Sequence, residues 1–185
     1  ATTEIYTLSY TTLFRSASIM GRMSIWYRLQ VSKNQHGLYA MAYQMLGNEL
    51  EAEDVVQDTF IKLWERKEDG GKYEKAWLYK VARNQCLDIL RRRKHAVEYQ
   101  IAKAVGSDMA LSASDHVLNE ELSGEIGKAI NQLEEPYKSL VVMREVNGLS
   151  YQVLADVLDL SLSQTKVYLH RARKQLKENL EEMYA

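Results

Sequence analysis

GLSYQVLADVLDLSLSQTKVYLHRARKQLK, residues 148 to 177, reads as two helices joined by a tight turn. Gly148 closes the helix before it, because glycine adopts the left-handed cap without steric penalty. Ser150 caps a short helix carrying Val153, Leu154, Ala155 and Leu158, and Ser161 with Gln164 forms a capping box for the next. A helix, a turn and a basic second helix make a helix-turn-helix. At 100° per residue, Thr165, Leu169, Ala172 and Leu176 share a stripe that must pack inward. Ser163, Val167, His170 and Lys174 share the opposite stripe, flanked by Lys166 and Arg173 on one side and by Arg171 and Gln164 on the other. From Ser161 to Lys177 there are five Lys or Arg and no acid. Such a helix suits a major groove, where cations hold phosphate and a few central side chains read bases. A solvated basic face on an ordinary surface helix would give the same pattern.

The rest of the chain carries no such concentration of one sign. The net charge over 185 residues is −1, with acid gathered at Glu49, Glu51, Glu53, Asp54 and Asp58. Base gathers at Arg83, Arg91, Arg92, Arg93 and Lys94, so nucleic acid could be held locally. Cys86 is the only cysteine, which excludes an internal disulfide and a multi-cysteine zinc site. His36, His95, His116 and His170 are widely spaced, without metal-ligand spacing, and no glycine-rich phosphate loop or nucleophile motif occurs. Neither an enzyme, a metal nor a cofactor is expected. No apolar run approaches the ~20 residues of a membrane span, and no secretory signal is evident, so a cytoplasmic protein is expected. A single proline and long 3.6-residue periods argue for an all-α fold.

The periods place two small helical domains on either side of a linker. Residues 1 to 23 form an N-terminal tail, and for residues 1 to 19 two readings are open: a flexible tail, or sequence not native to the protein. The first domain covers residues 24 to 94. Leu38, Ala42, Met45 and Leu46 supply the apolar face of its first helix, which Gly47 ends. Asn48 caps the next, with Glu51 completing the box. That helix buries Ala52, Val55, Val56, Thr59, Phe60 and Leu63. Its other face shows Asp54, Gln57, Asp58, Ile61, Trp64 and Glu65; the apolar members imply either a protein partner or a rotated helix that buries Trp64. A third helix, from about Tyr73 to Arg93, turns Leu78, Val81, Ala82, Cys86 and Ile89 to the core. Its opposite face carries Trp77, Lys80, Asn84, Asp88 and Arg91. A ring to stack, an amide to read a base edge and cations for phosphate suit opened nucleic acid, while a structural Trp77 on a polar surface is the plainer alternative. Residues 95 to 116 lose the period and read as a linker. The second domain, 117 to 185, begins with Leu118, Leu122, Ile126, Ala129, Ile130 and Leu133 on one face, and Pro136 opens a further helix that leads into the helix-turn-helix.

Three motifs, in order, resemble the extracytoplasmic-function sigma factors of bacterial RNA polymerase, in the sigma-70 superfamily: AEDVVQDTFIKLW from Ala52, AWLYKVARNQCLDILRRRK from Ala76, and REVNGLSYQVLADVLDLSLSQTKVYLHRARKQL from Arg144. The resemblance spans about residues 28 to 178. It implies a promoter-specificity subunit with core polymerase, promoter DNA and an anti-sigma factor as partners. On the polymerase, the clamp helices of the largest subunit would take Asp54, Gln57, Asp58 and Ile61, and the flap would also be contacted. Trp77, Lys80, Asn84, Asp88, Arg91 and Arg92 would serve the opened minus-ten element, Asn84 holding a flipped base. Ser163, Gln164, Lys166, Val167, His170, Arg171, Arg173 and Lys174 would serve the duplex minus-thirty-five element. The sequence departs from the family at Glu134, where proline is common, at Val167, where a small polar residue is usual, and at Tyr168, where a basic one is. Val167 could meet a thymine methyl. Two rivals stand beside this reading: a stand-alone regulator using only the helix-turn-helix, and a helical interaction adaptor without a DNA role.

Overall fold

Gly47 and Gly148 both take positive φ, +64° and +63°, and each terminates a helix as the sequence predicts. The computed structural model describes residues 25–66, 74–104 and 124–183, and every regular element among them is helical. In chain order these are α1 (Ile25–Leu46), α2 (Glu49–Arg66), α3 (Glu74–Ala104), α4 (Glu125–Asn131), α5 (Tyr137–Val141), a π-helical turn (Val142–Val146), α6 (Tyr151–Leu158) and α7 (Leu162–Met183). The expected N-terminal tail and most of the expected linker, with Leu118 and Leu122, lie outside the described residues.

The chain divides into two compact units, residues 1–34 and 35–185. In the first, the Asn34 amide donates to the Gln30 carbonyl one turn back, at 3.0 Å. The second contains the rest of α1 and every later element. From α1 it buries Leu38, Met41, Ala42, Met45 and Leu46, and from α2 all six residues assigned inward by the period. Asn48 accepts from the backbone N–H of Glu51 at 3.0 Å, as a cap should. The Glu51 carboxylate does not return to close the box. It pairs instead with Arg93, whose guanidinium also donates to the Leu46 carbonyl and so covers the end of α1. Charge attraction across two helices wins over a local bond from the Asn48 N–H, which water can accept instead.

α3 packs on α2, where Gln85 Nε2 donates to Thr59 Oγ1 at 3.1 Å; its Leu78, Ala82 and Cys86 are fully buried, while Val81 and Ile89 are only partly covered. Burial pushes the Cys86 thiol up to about 12, which makes it an inert core residue. The helix does not stop near Arg93. It continues to Ala104, so residues 95–104, expected as linker, are helical. These residues are mostly exposed, so burial does not hold them. Ala, Lys, Glu and Gln favour the helix, and Lys94 and His95 both lie near Glu98 one turn on.

In the C-terminal part α4, α5 and α6 all pack on α7. Gly127, Ala129, Ile130 and Leu133 are buried, but Ile126, expected in the same face, is 62% exposed. It stands in the first turn of a seven-residue helix, and the small Gly127 and Ala129 set which side lies against α7. Pro136 caps α5, and the Glu135 carboxylate before it accepts from Ser139 Oγ at 2.6 Å. The two expected domains do not stand apart. α3 packs on α6 within the same compact unit.

Gly37 marks one place where this packing has no slack. A Cβ there would run into the hydroxyl of the buried Tyr79. Gly37→Ala gains about 1 kcal/mol of helix propensity but overpacks a closed site at about 1–3 kcal/mol. A net loss of stability is expected in urea titration, and a raised midpoint would show that Tyr79 yields.

Candidate nucleic-acid interface

The orientation of α7 follows from its two ends and its inner stripe. At its start Ser161 and Gln164 cap each other: Gln164 N–H donates to Ser161 Oγ at 3.1 Å, and Ser161 N–H donates to Gln164 Oε1 at 2.9 Å. Ser150 caps α6 by accepting from Val153 N–H. Between the helices Asp159 takes the left-handed conformation, φ 54°, and Leu160 N–H returns to the Ala155 carbonyl. Asp is one of the few residues besides glycine that tolerates this turn. Thr165, Leu169 and Ala172 are buried, and Thr165 Oγ1 donates to the Ser161 carbonyl at 2.9 Å. Leu176, expected on the same stripe, is only partly covered.

Ser163, Gln164, Lys166, Val167, His170, Arg171, Arg173 and Lys174 are all exposed. They do not present equal freedom. Arg173 Nε and Nη2 both donate to Glu145 Oε1, at 3.0 and 2.7 Å, and this bond raises the guanidinium pKa further. Arg173 therefore braces α7 against the π-helical turn. Gln164 spends its carbonyl oxygen on the cap. Tyr168 meets the Tyr137 ring edge-on at 6.1 Å and ties α7 to α5. Ser163, Lys166, Val167, His170 and Arg171 form the open face, with Lys174 near Glu178 at its far end.

The proposed face of α3 is less open. Trp77 is half-buried, with the Arg66 guanidinium 5.0 Å from its ring centre. Lys80 Nζ donates to both oxygens of Asp159 at 2.6 Å. That pair is solvent-facing and contributes about 0–1 kcal/mol. Asn84 is exposed, as are Asp88, Arg91 and Arg92, and Arg91 is paired with Asp88 at 2.6 Å. A groove of about 360 Å³ runs between α3 and α6, lined by Ala76, Trp77, Lys80, Ala155, Asp156, Asp159 and Leu160.

On α2 the outer face is resolved in favour of exposure. Asp54, Asp58 and Ile61 are exposed, Gln57 is half-buried, and Trp64 keeps 37% of its surface. Trp64 is thus not a core residue. The sequence reading missed Leu50, 73% exposed in the first turn. Leu50, Asp54, Gln57, Ile61 and Trp64 follow one another at spacings of four and three, the stripe that packs along a partner helix. That spacing was available in the sequence, but Leu50 was masked by the surrounding acids. Among the described residues no helix is long and apolar enough to cross a membrane, and no group of three or more His, Cys, Asp or Glu could hold a metal ion.

Comparison with known proteins finds two family models along the chain. Residues 30–96 match the Sigma-70 region 2 family and residues 123–176 match the Sigma-70, region 4 family. The chain is 28% identical over 157 residues to the ECF RNA polymerase sigma factor SigW of Bacillus subtilis, covering 79% of this chain and 84% of that one. Among solved structures it is similar to the sigma factor RpoE in complex with the anti-sigma factor NepR from Bartonella quintana, with a TM-score of 0.63, 24% identity and coverage of 84% and 96%. It is also similar to CnrH in complex with the cytosolic domain of CnrY, with a TM-score of 0.62, 23% identity and coverage of 84% and 88%. With region 2 and region 4 in this order, an all-helical fold shared with those structures and ECF relatives over most of its length, the chain belongs to the sigma-70 family as an ECF-type sigma factor, a protein of transcription initiation.

Proposed function

We propose that the chain docks on core RNA polymerase through the outer stripe of α2, captures opened minus-ten DNA on α3, and reads duplex minus-thirty-five DNA with α7. The observation that carries this is the open face of α7: Ser163, Lys166, Val167, His170 and Arg171 are exposed together on the second helix of a helix-turn-helix, with no acid among them. Lys166 and Arg171 hold phosphate on either side, while Ser163, Val167 and His170 reach base edges. Val167, 47% exposed, offers a methyl surface for thymine. Arg173 acts through Glu145 rather than on DNA.

The minus-ten role rests on Asn84, Arg91 and Arg92, which are solvent-accessible on α3, with Trp77 and Lys80 beside the groove. Opening needs no hydrolysis in this scheme. Trapping an extruded base offsets a few kcal/mol of unstacking. The polymerase role rests on the Leu50–Trp64 stripe, whose apolar members suit the side of a coiled-coil partner such as the clamp helices. The region 2 module of residues 24–94 and the region 4 module of residues 117–185, the latter against the flap, each bind weakly. Held on one polymerase, each raises the effective concentration of the other. The protein works where the polymerase works, in the cytoplasm, without catalysing a reaction. An anti-sigma factor is its regulatory partner, as NepR is found on RpoE in the similar structure.

Run-off transcription with purified core polymerase on a promoter library tests the whole reading; absence of any sigma-dependent transcript overturns it. Lys166→Glu with Arg171→Glu should lower the salt slope of holoenzyme binding to duplex promoter by about 2, with the urea midpoint unchanged. Arg173→Glu should instead lower the urea midpoint, because it sets two carboxylates together. Ile61→Asp should weaken retention of polymerase in a pull-down by about tenfold or more, the scale of one lost buried contact. Asn84→Ala should leave that retention intact and reduce permanganate reactivity of bubble thymines.

A further inference from the structure

Beside the reading face of α7, the side chains of Arg173, Glu145, Arg144 and Tyr151 form a closed ring. Arg173 donates from Nε and Nη2 to Glu145 Oε1. A further hydrogen bond joins the same guanidinium to the side chain of Tyr151, the first residue of α6. A second guanidinium, that of Arg144, lies over the Tyr151 ring, 4.8 Å from its centre. Arg144 also donates from Nη1 to the Leu149 carbonyl at 2.6 Å. Arg144 and Glu145 are neighbours in the π-helical turn, so the backbone between them closes the ring. The π-helical turn, the segment leading into α6, α6 itself and α7 are thus tied together at one place.

The place matters because of what the buried stripe leaves undetermined. Burying Thr165, Leu169 and Ala172 settles which side of α7 faces inward. The angle of α7 against its neighbours depends on contacts at the flanks of that stripe. Measured from Thr165, Tyr168 stands about 60° to one side and Arg173 about 80° to the other. Tyr168 holds its flank through Tyr137. The ring holds the opposite flank, toward α6. Arg173 stands ten residues beyond Ser163, about 15 Å along the axis. A tilt of about 10° about Arg173 would carry Ser163 sideways by about 2.6 Å, where a site must be held within about 0.5 Å.

The members of the ring are poorly placed to add stability. The Arg173 and Glu145 side chains are 47% and 44% exposed, and Arg144 and Tyr151 are half-buried. Exposed ion pairs contribute little to folding. What planar guanidinium groups and a ring face contribute here is direction.

We propose that Tyr151 and Arg144 are positioning residues for duplex reading: with Glu145 and Arg173 they set the angle at which α7 lies in the major groove, and so its base preference, without touching DNA themselves. The proposal rests on the assignment of α7 to the minus-thirty-five element.

The test uses holoenzyme formed from the full chain, in competition binding to duplex promoters that differ by one base pair in the minus-thirty-five element. Tyr151→Phe removes the hydroxyl and keeps the ring beneath Arg144. Arg144→Gln removes the cation above the ring. Each should lower discrimination against a single mismatch by about fivefold. The salt slope of binding should stay unchanged, because no phosphate contact is lost. The double variant should lose no more than the larger single effect, since both residues act through one ring. Discrimination equal to wild type overturns the proposal, and so do losses that add. A fall in affinity by one common factor on every sequence also overturns it, because Tyr151 or Arg144 would then hold phosphate directly. Urea titration accompanies each variant, and if Arg144→Gln lowers the midpoint, Tyr151→Phe alone decides. Wild-type holoenzyme with no base preference in that element sinks the reading of α7 and the proposal with it. A wild-type preference that both variants keep sinks the positioning role alone.

Discussion

Burying Thr165, Leu169 and Ala172 leaves α7 a single rotational setting, and the rest of the helix-turn-helix depends on it. Turning the helix half a revolution would expose Leu169, at about 2–3 kcal/mol. It would also push Lys174 toward the core, at several kcal/mol for an unpaired charge. No local preference of a surface side chain competes with those magnitudes. The capping pair Ser161–Gln164 then fixes where the helix begins, and the left-handed Asp159 fixes how it leaves α6. The exposed cations are therefore held in register by a buried stripe of three residues and by caps at the start of the helix. Tyr168 and Arg173 extend the same principle outward: both are partly exposed, yet each serves the placement of α7 through Tyr137 and Glu145.

α2 repeats the logic with the opposite sign. Its six inward residues are small or apolar, or, like Thr59, satisfy themselves by donating to a carbonyl one turn back. The outer stripe is consequently free to mix Leu, Ile and Trp with carboxylates without strain. On the reading proposed above, two modules that each hold weakly become one selective reader only when a third body keeps them at the right spacing. The chain's near-neutral charge fits that division of labour, since a strongly basic chain would bind DNA unaided.

Period and capping chemistry made most of the fold legible. The burial of α2, the two glycine stops, the caps at Ser150 and Ser161, and the exposure of the α7 face all rest on interactions within a few residues, which a sequence displays. What it hid came from partners far along the chain. Glu51 fits a capping box by position, but Arg93, 42 residues on, takes it. Arg173 reads as one more cation until Glu145 is seen beside it. Lys80 looks available until Asp159 arrives from the other module. Charged side chains are long and their partners are chosen in three dimensions, so local spacing ranks them poorly. The end of α3 was missed for a different reason: a solvated helix held by intrinsic propensity has no apolar period to announce it.

The extra length of α3 changes the arithmetic of the tether. α3 runs to Ala104 rather than to Arg93, so the rod carries its end about 16 Å farther along its axis, at 1.5 Å per residue. Twenty peptide units then separate Ala104 from Gly124, and their contour cannot exceed about 70 Å. The added turns fix the direction in which the chain leaves α3, and a helix-breaking change between residues 95 and 104 would lose that directed offset.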